Sequence, residues 1–131
     1  MIKLLIVDDI PETRDHLSRL IGLEREIDVV GTAGSGEEAI QQAMDLRPDV
    51  IVMDINMPGM DGIAASEIIA QRLPFSPIIM MSVHGEAEHL RRAMGAGARE
   101  FLVKPFSSDE FSTSIKRVHE RAQKEMGEET A

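Results

Sequence analysis

Five short apolar runs punctuate the chain, and between them apolar residues recur at the spacing of a helix face. The runs are Lys3–Val7, Asp28–Ala33, Val50–Met53, Pro77–Ser82 and Glu100–Val103. Those containing LLIV, VIVM and PIIMMS are apolar enough for strands buried on both faces, whereas DVVGTA is mixed and suits an edge. The first helical pattern, Pro11 to about Glu24, puts Leu17, Leu20 and Ile21 on one face. The second opens with SGEE, where Ser35 is the expected N-cap and Glu38 its capping-box partner. Ala39, Ile40, Ala43 and Met44 form its stripe. Further helices are expected over Gly62–Leu73, from about Glu86 to Met94, and from Ser108 to about Gln123. Strand followed by helix, five times over, predicts an α/β fold: a doubly wound five-stranded parallel sheet covered on both faces by five helices. Right-handed crossovers then bring every strand's C-terminal end to one edge, where such sheets build their sites.

Composition narrows the function classes. At 131 residues the chain fits one domain, and its net charge of −9 with no basic run makes it a poor holder of DNA or of an anionic membrane. Absence of Cys excludes disulfides and thiolate sites and fits a cytoplasmic protein. No stretch approaches a membrane span, and the N-terminus lacks the layout of a signal peptide. The methionines Met53, Met57, Met60, Met80 and Met81 read as packing filler. The polar segment 121–131 reads as a fraying helix end, a tail or a linker after a domain over residues 1–120.

The strand ends collect chemistry. Asp8 and Asp9 follow the first strand, Asp54 the third, Ser82 the fourth and Lys104 the fifth. Taken alone, Asp8 and Asp9 fit a solvated strand end or a helix cap equally well. Together with Asp54 they are three carboxylates that cannot all stay ionised without a cation, and Mg²⁺ suits such a set. A carboxylate facing a metal can accept a phosphoryl group, which makes Asp54 the candidate nucleophile. Lys104 would add positive charge and Ser82 a hydrogen bond.

VDD after the first strand, MDINMPGMDG around Asp54, MMS ending the fourth strand and EFLVKPF around Lys104 resemble the receiver domain of bacterial two-component response regulators. The likeness runs from about Ile2 to Val118. It implies a flavodoxin-like sheet with strand order 2-1-3-4-5. It further implies Asp54 as phosphoacceptor, Asp8 and Asp9 as the acid pocket, and Asn56 as a backbone-carbonyl ligand of the metal. Ser82 matches the switch hydroxyl, Phe101 the switch aromatic, and the Lys104–Pro105 bond a cis peptide. Asn56 and His84 match positions that flank the phosphoryl group and influence its lifetime, although a roleless loop histidine explains His84 equally well. No zinc-ligand spacing accompanies it. Val83 stands where the family places Ala or Gly, and its branched side chain is expected to narrow the approach to Asp54.

The resemblance implies a signalling switch rather than an enzyme, with only self-directed phosphorylation and dephosphorylation. Its donor would be a sensor histidine kinase or phosphotransfer protein, and its target a downstream effector protein or domain. The output face would be helix 4, strand 5 and helix 5, including Arg91, Arg92, Arg99 and Lys116. A phosphorylation-dependent homodimer is a further expectation; direct nucleic-acid or membrane binding is not. Receivers of the OmpR-like class carry a dimer-forming Arg in helix 5, and the matching place here is Ser114. The stretch from Met80 to Phe111 resembles receivers that precede a CpaE-type pilus-assembly ATPase, so the chain reads as a single-domain regulator or as an excised N-terminal domain. A haloacid-dehalogenase-like phosphatase would need DxDx[TV] after the first strand, and VDDIPET lacks it. A flavin-binding module would need a phosphate cradle where DDIPE is acidic.

Overall fold

The computed structural model describes the backbone of residues 1–130 and the side chains of residues 1–127. The strands are β1 (Ile2–Val7), β2 (Ile27–Ala33), β3 (Val50–Asp54), β4 (Ile78–Ser82) and β5 (Glu100–Val103). They alternate with α1 (Pro11–Ile21), α2 (Gly36–Leu46), α3 (Gly62–Arg72), α4 (Ala87–Gly95) and α5 (Ser108–Thr130). All strand pairs are parallel, in the order β2-β1-β3-β4-β5. The mixed segment DVVGTA is thus an edge strand, and the short β5 forms the other edge.

Alternation along each strand divides the core in two. Leu5, Val7, Ile51, Met53, Ile78 and Met80 face one layer, packed with Ala39, Ala43, Ile63, Ile69 and Ala93 from α2, α3 and α4. Leu4, Ile6, Val50, Val52, Ile79 and Met81 face the other, packed with Leu17 and Ile21 of α1 and with Phe111, Ile115 and Val118 of α5. Since β1, β3 and β4 are sandwiched this way, polar residues can follow them only at their ends. That constraint places the site.

Local chemistry sets the helix boundaries. Ser35 Oγ accepts the Glu38 N–H (3.1 Å), but the reciprocal half of the expected box is not formed among the described residues. A reciprocal box does open α5: Ser107 Oγ accepts the Glu110 N–H, and Glu110 Oε1 accepts the Ser107 N–H. Helix α1 stops at Ile21, short of the expected Glu24, because the Gly22 N–H closes onto the Arg19 carbonyl and Leu23 turns into solvent, 94% exposed. Helix α5 runs past Gln123 to Thr130, since Glu, Arg, Ala, Gln, Lys and Met all favour helix. Ala131, the last residue of the expected tail, lies outside the described residues.

Gly62 joins this frame to the site. A Cβ there would run into the Asp54 carbonyl and the Ile55 backbone, so only glycine lets α3 start hard against the end of β3. Its N–H donates to the Ile55 carbonyl (2.9 Å).

Helix α5 is fixed to β5 through Glu100. The Ser114 hydroxyl donates to Glu100 Oε1 (2.7 Å), as does Arg117 Nη2 (2.6 Å); Arg117 Nε donates to Oε2, with Arg121 Nη1 3.9 Å away. Ser114, the helix-5 position without an arginine, is therefore a buried anchor. Lys116 departs from the expected α4–β5–α5 face: its ammonium meets Glu24 and Glu26 at the α1–β2 connection. Successive helix residues are about 100° apart, so Arg117 takes the β5 side instead. Hydrogen bonding from Arg117 holds the Glu100 carboxyl below its ordinary value of 4.5, with Ser114 assisting against the opposing effect of burial. A lowered folded-state value means stability that is present above the ordinary carboxylate range and is lost as pH falls below it. Glu100→Gln should therefore cost about 1–2 kcal/mol near neutral pH and progressively less as pH falls through the lowered folded-state value. Urea unfolding followed by far-ultraviolet circular dichroism measures this, as the chain has neither Trp nor Tyr. A loss independent of pH would remove the assignment.

Candidate functional site

Three carboxylates meet where β1 and β3 end. Asp8 is fully buried, Asp9 half-buried and Asp54 buried, and one oxygen from each lies within 4.8 Å of the others. Parallel pairing of β1 with β3, matching Val7 to Met53, brings these distant residues together.

Lys104 arrives from the far edge of the sheet. Its Nζ donates to Asp8 Oδ2 (3.0 Å) and to Asp54 Oδ2 (3.2 Å). The remaining oxygens serve the turns: Asp8 Oδ1 accepts the Ile10 N–H (3.0 Å) and Asp54 Oδ1 the Asn56 N–H (3.2 Å). Asp9 alone keeps its carboxylate free of hydrogen bonds and ion pairs among the described residues. Burial pushes the Asp54 carboxyl above its ordinary value, opposed by Lys104 and reinforced by the Asp8 charge. Burial also opposes the Lys104 ammonium, yet its two carboxylate partners outweigh that and raise its value. One cation is shared between two anions, so the ammonium is well matched and the carboxylates are not.

The donor set fits a hard divalent ion. Three carboxylates against one ammonium leave two formal negative charges uncompensated, and oxygen donors suit Mg²⁺. Asp8, Asp9 and Asp54 are the side chains placed to hold it, with Asn56 immediately beside Asp54 in the following loop.

Ser82, fully buried, ends β4, and its Oγ accepts the His84 N–H (3.0 Å). Its carbonyl accepts the Lys104 N–H, which ties the two strand ends together. Phe101 lies on β5 opposite Met80, half-buried against the α2–α3–α4 layer. The Lys104–Pro105 peptide is cis. Val83 is 61% exposed just beyond Ser82. Sequence reasoning missed Arg14: its Nη1 donates to the Asp8 carbonyl (2.7 Å), and it fills the space a side chain at Gly34 would need. Its position one turn into α1 was the available signal.

Comparison with known proteins agrees with this arrangement. Residues 4–116 match the family model described as the response regulator receiver domain. The transcriptional regulatory protein LnrK of Bacillus subtilis is 34% identical over 119 residues, covering 91% of this chain and 54% of that protein. A protein-glutamate methylesterase/protein-glutamine glutaminase of Syntrophus aciditrophicus is 46% identical over 108 residues, 80% of this chain but 31% of that protein. The chain thus spans between about a third and about half of the length of these relatives. Among solved structures, the response regulator domain of Thermotoga maritima CheB superposes with a TM-score of 0.85 at 34% identity, covering 92% of this chain and 97% of that one. A chain of the CheX–CheY–BeF₃–Mg²⁺ complex from Borrelia burgdorferi gives 0.83 at 29% identity, with 89% and 88% covered. With its family model spanning most of the sequence and its sheet order and strand-end cluster in place, the chain belongs to the response regulator receiver domain family.

Proposed function

We propose that this receiver is a cytoplasmic, phosphorylation-controlled switch. A sensor histidine kinase or phosphotransfer protein supplies the phosphoryl group, and Asp54 accepts it. The observation that carries this reading is the convergence of Asp8, Asp9 and Asp54 on one point, with Lys104 bridging Asp54 to Asp8. An Asp54 carboxylate oxygen attacks phosphorus while the bond to the donor nitrogen breaks, leaving an aspartyl phosphate on the chain. Mg²⁺, when bound, supplies positive charge to the phosphoryl oxygens. Asp8, Asp9, Asp54 and the Asn56 carbonyl would hold that ion, and Lys104 would turn its ammonium from the carboxylate to the incoming oxygens. A CheY-containing complex with BeF₃ and Mg²⁺ among the structural neighbours is in keeping with this chemistry.

Transmission runs through Ser82 and Phe101. The phosphoryl oxygens draw in the Ser82 hydroxyl, which alters its bond with the His84 N–H. The space vacated beside β5 admits the half-buried Phe101 ring. Burying an aromatic ring contributes roughly 1.5–3 kcal/mol, enough to tilt a balanced two-state element. The affected surface is α4–β5–α5, where Leu90, Met94 and Val103 are exposed and where an effector or a second protomer docks. Residues 1–120 form the receiver proper, and the α5 residues just beyond them stay against it, with Ala122 buried and Glu125 paired to Arg99.

Three outcomes test this reading. Acetyl phosphate with Mg²⁺ should add one phosphoryl group by intact-protein mass spectrometry, and Asp54→Asn should show none; persistent labelling of that variant would place the chemistry elsewhere. Mn²⁺ affinity by calorimetry should fall about tenfold or more in Asp9→Ala, because the Asp9 carboxylate is the uncommitted one. Equal affinities would sink its assignment as a ligand. Beryllofluoride should shift amide signals of Phe101 and α4, and Ser82→Ala should label normally yet lose those distant shifts. Changes confined to the loops around Asp54 in the wild type would refute the switch.

A further inference from the structure

Asp9 supplies a carboxylate to the acidic cluster, yet among the described residues no hydrogen bond or ion pair holds that side chain. Its direction is set by the main chain instead. Peptide groups are planar, so a residue is placed by the two peptides that flank it. The Asp9–Ile10 peptide is held through the Ile10 N–H, which donates to Asp8 Oδ1 (3.0 Å). The Asp8–Asp9 peptide is held through the Asp8 carbonyl, which accepts a bond from Arg14 Nη1 (2.7 Å). A bond from a charged donor is shorter and stronger than one between neutral groups.

Arg14 is placed for this contact and committed to no other. It lies half-buried, one turn into α1, and its guanidinium pairs with no carboxylate among the described residues. The guanidinium reaches across the end of β2, where Gly34 leaves room. A Cβ at that glycine would come within 2.9 Å of Nη1 and 3.5 Å of Cζ. Ala33, the residue before it, accepts the Asp8 N–H through its carbonyl (3.1 Å). Asp8 is thus gripped on both main-chain sides, and Asp9 inherits that placement.

We propose that Arg14 is a positioning residue: by holding the Asp8 carbonyl, it aims the Asp9 carboxylate into the cation site. The inference rests on Asp9 being a ligand of the divalent ion, and it assigns no contact between Arg14 and that ion. Charge alone predicts the opposite effect. A guanidinium beside the cluster repels a divalent cation, so deleting a mere bystander would tighten metal binding. Deleting a positioning group weakens it. The sign of the change separates the two roles.

Calorimetric titration of the whole chain with Mn²⁺ tests this. Arg14→Ala should weaken binding by about tenfold, the usual order for a group that orients a metal ligand. Gly34→Ala should do likewise, because its new methyl displaces the end of a flexible side chain rather than backbone. Its urea midpoint should stay near that of the wild type. In an Asp9→Ala background, Arg14→Ala should weaken binding no further, since the carboxylate it aims is gone. Should Arg14→Ala fail to fold, Gly34→Ala in both backgrounds supplies the same cycle. Wild-type or tighter binding in the Arg14 and Gly34 variants, with Asp9→Ala weakened, would overturn the positioning role alone. An equal loss with and without the Asp9 carboxylate would also overturn it, leaving Arg14 a structural tie at the end of β1. Wild-type affinity in Asp9→Ala would overturn the ligand assignment and this inference together.

Discussion

The Lys104 ammonium, shared between Asp8 and Asp54, is the interaction around which this molecule is arranged. Burying two carboxylates at adjacent strand ends is unfavourable without a cation, and leaving that cation buried alone would be equally so. Neither partner is free to move without exposing the other's charge. The pairing joins β5, at one edge of the sheet, to β1 and β3 near its middle, across a β4 whose end holds Ser82. Any ligand that takes the ammonium from these carboxylates therefore acts on three strands at once.

The two-faced sheet makes that coupling possible. Strands buried on both sides leave polar residues near their ends, and parallel register brings their C-terminal ends level. Much of the packing beside the site is methionine: Met53, Met57, Met80 and Met81 are all buried, and the Ser66 hydroxyl donates to the Met80 sulfur (3.3 Å). Thioethers adapt to small displacements with less strain than branched side chains. Rigid strands thus end next to deformable filling.

The strand-end groups were legible because each directly terminates an apolar run, so element order alone locates Asp8, Asp54, Ser82 and Lys104. The anchoring of α5 was not. Assigning Ser114, Arg117 and Arg121 to Glu100 requires the rotation of the helix about its axis, and an error of one residue turns Arg117 into Lys116. The end of α1 was misjudged because Leu23 continues an apolar pattern that Gly22 has already broken. The end of α5 was set short, at about Gln123, because low hydrophobicity was weighed above helix propensity.

Helix α5, at 23 residues, is about 34 Å long, roughly the diameter of the domain it packs along. An unbroken helix of that length conducts rotation. For any segment joined to it, inserting a single residue advances the attachment by about 1.5 Å but swings it by about 100°.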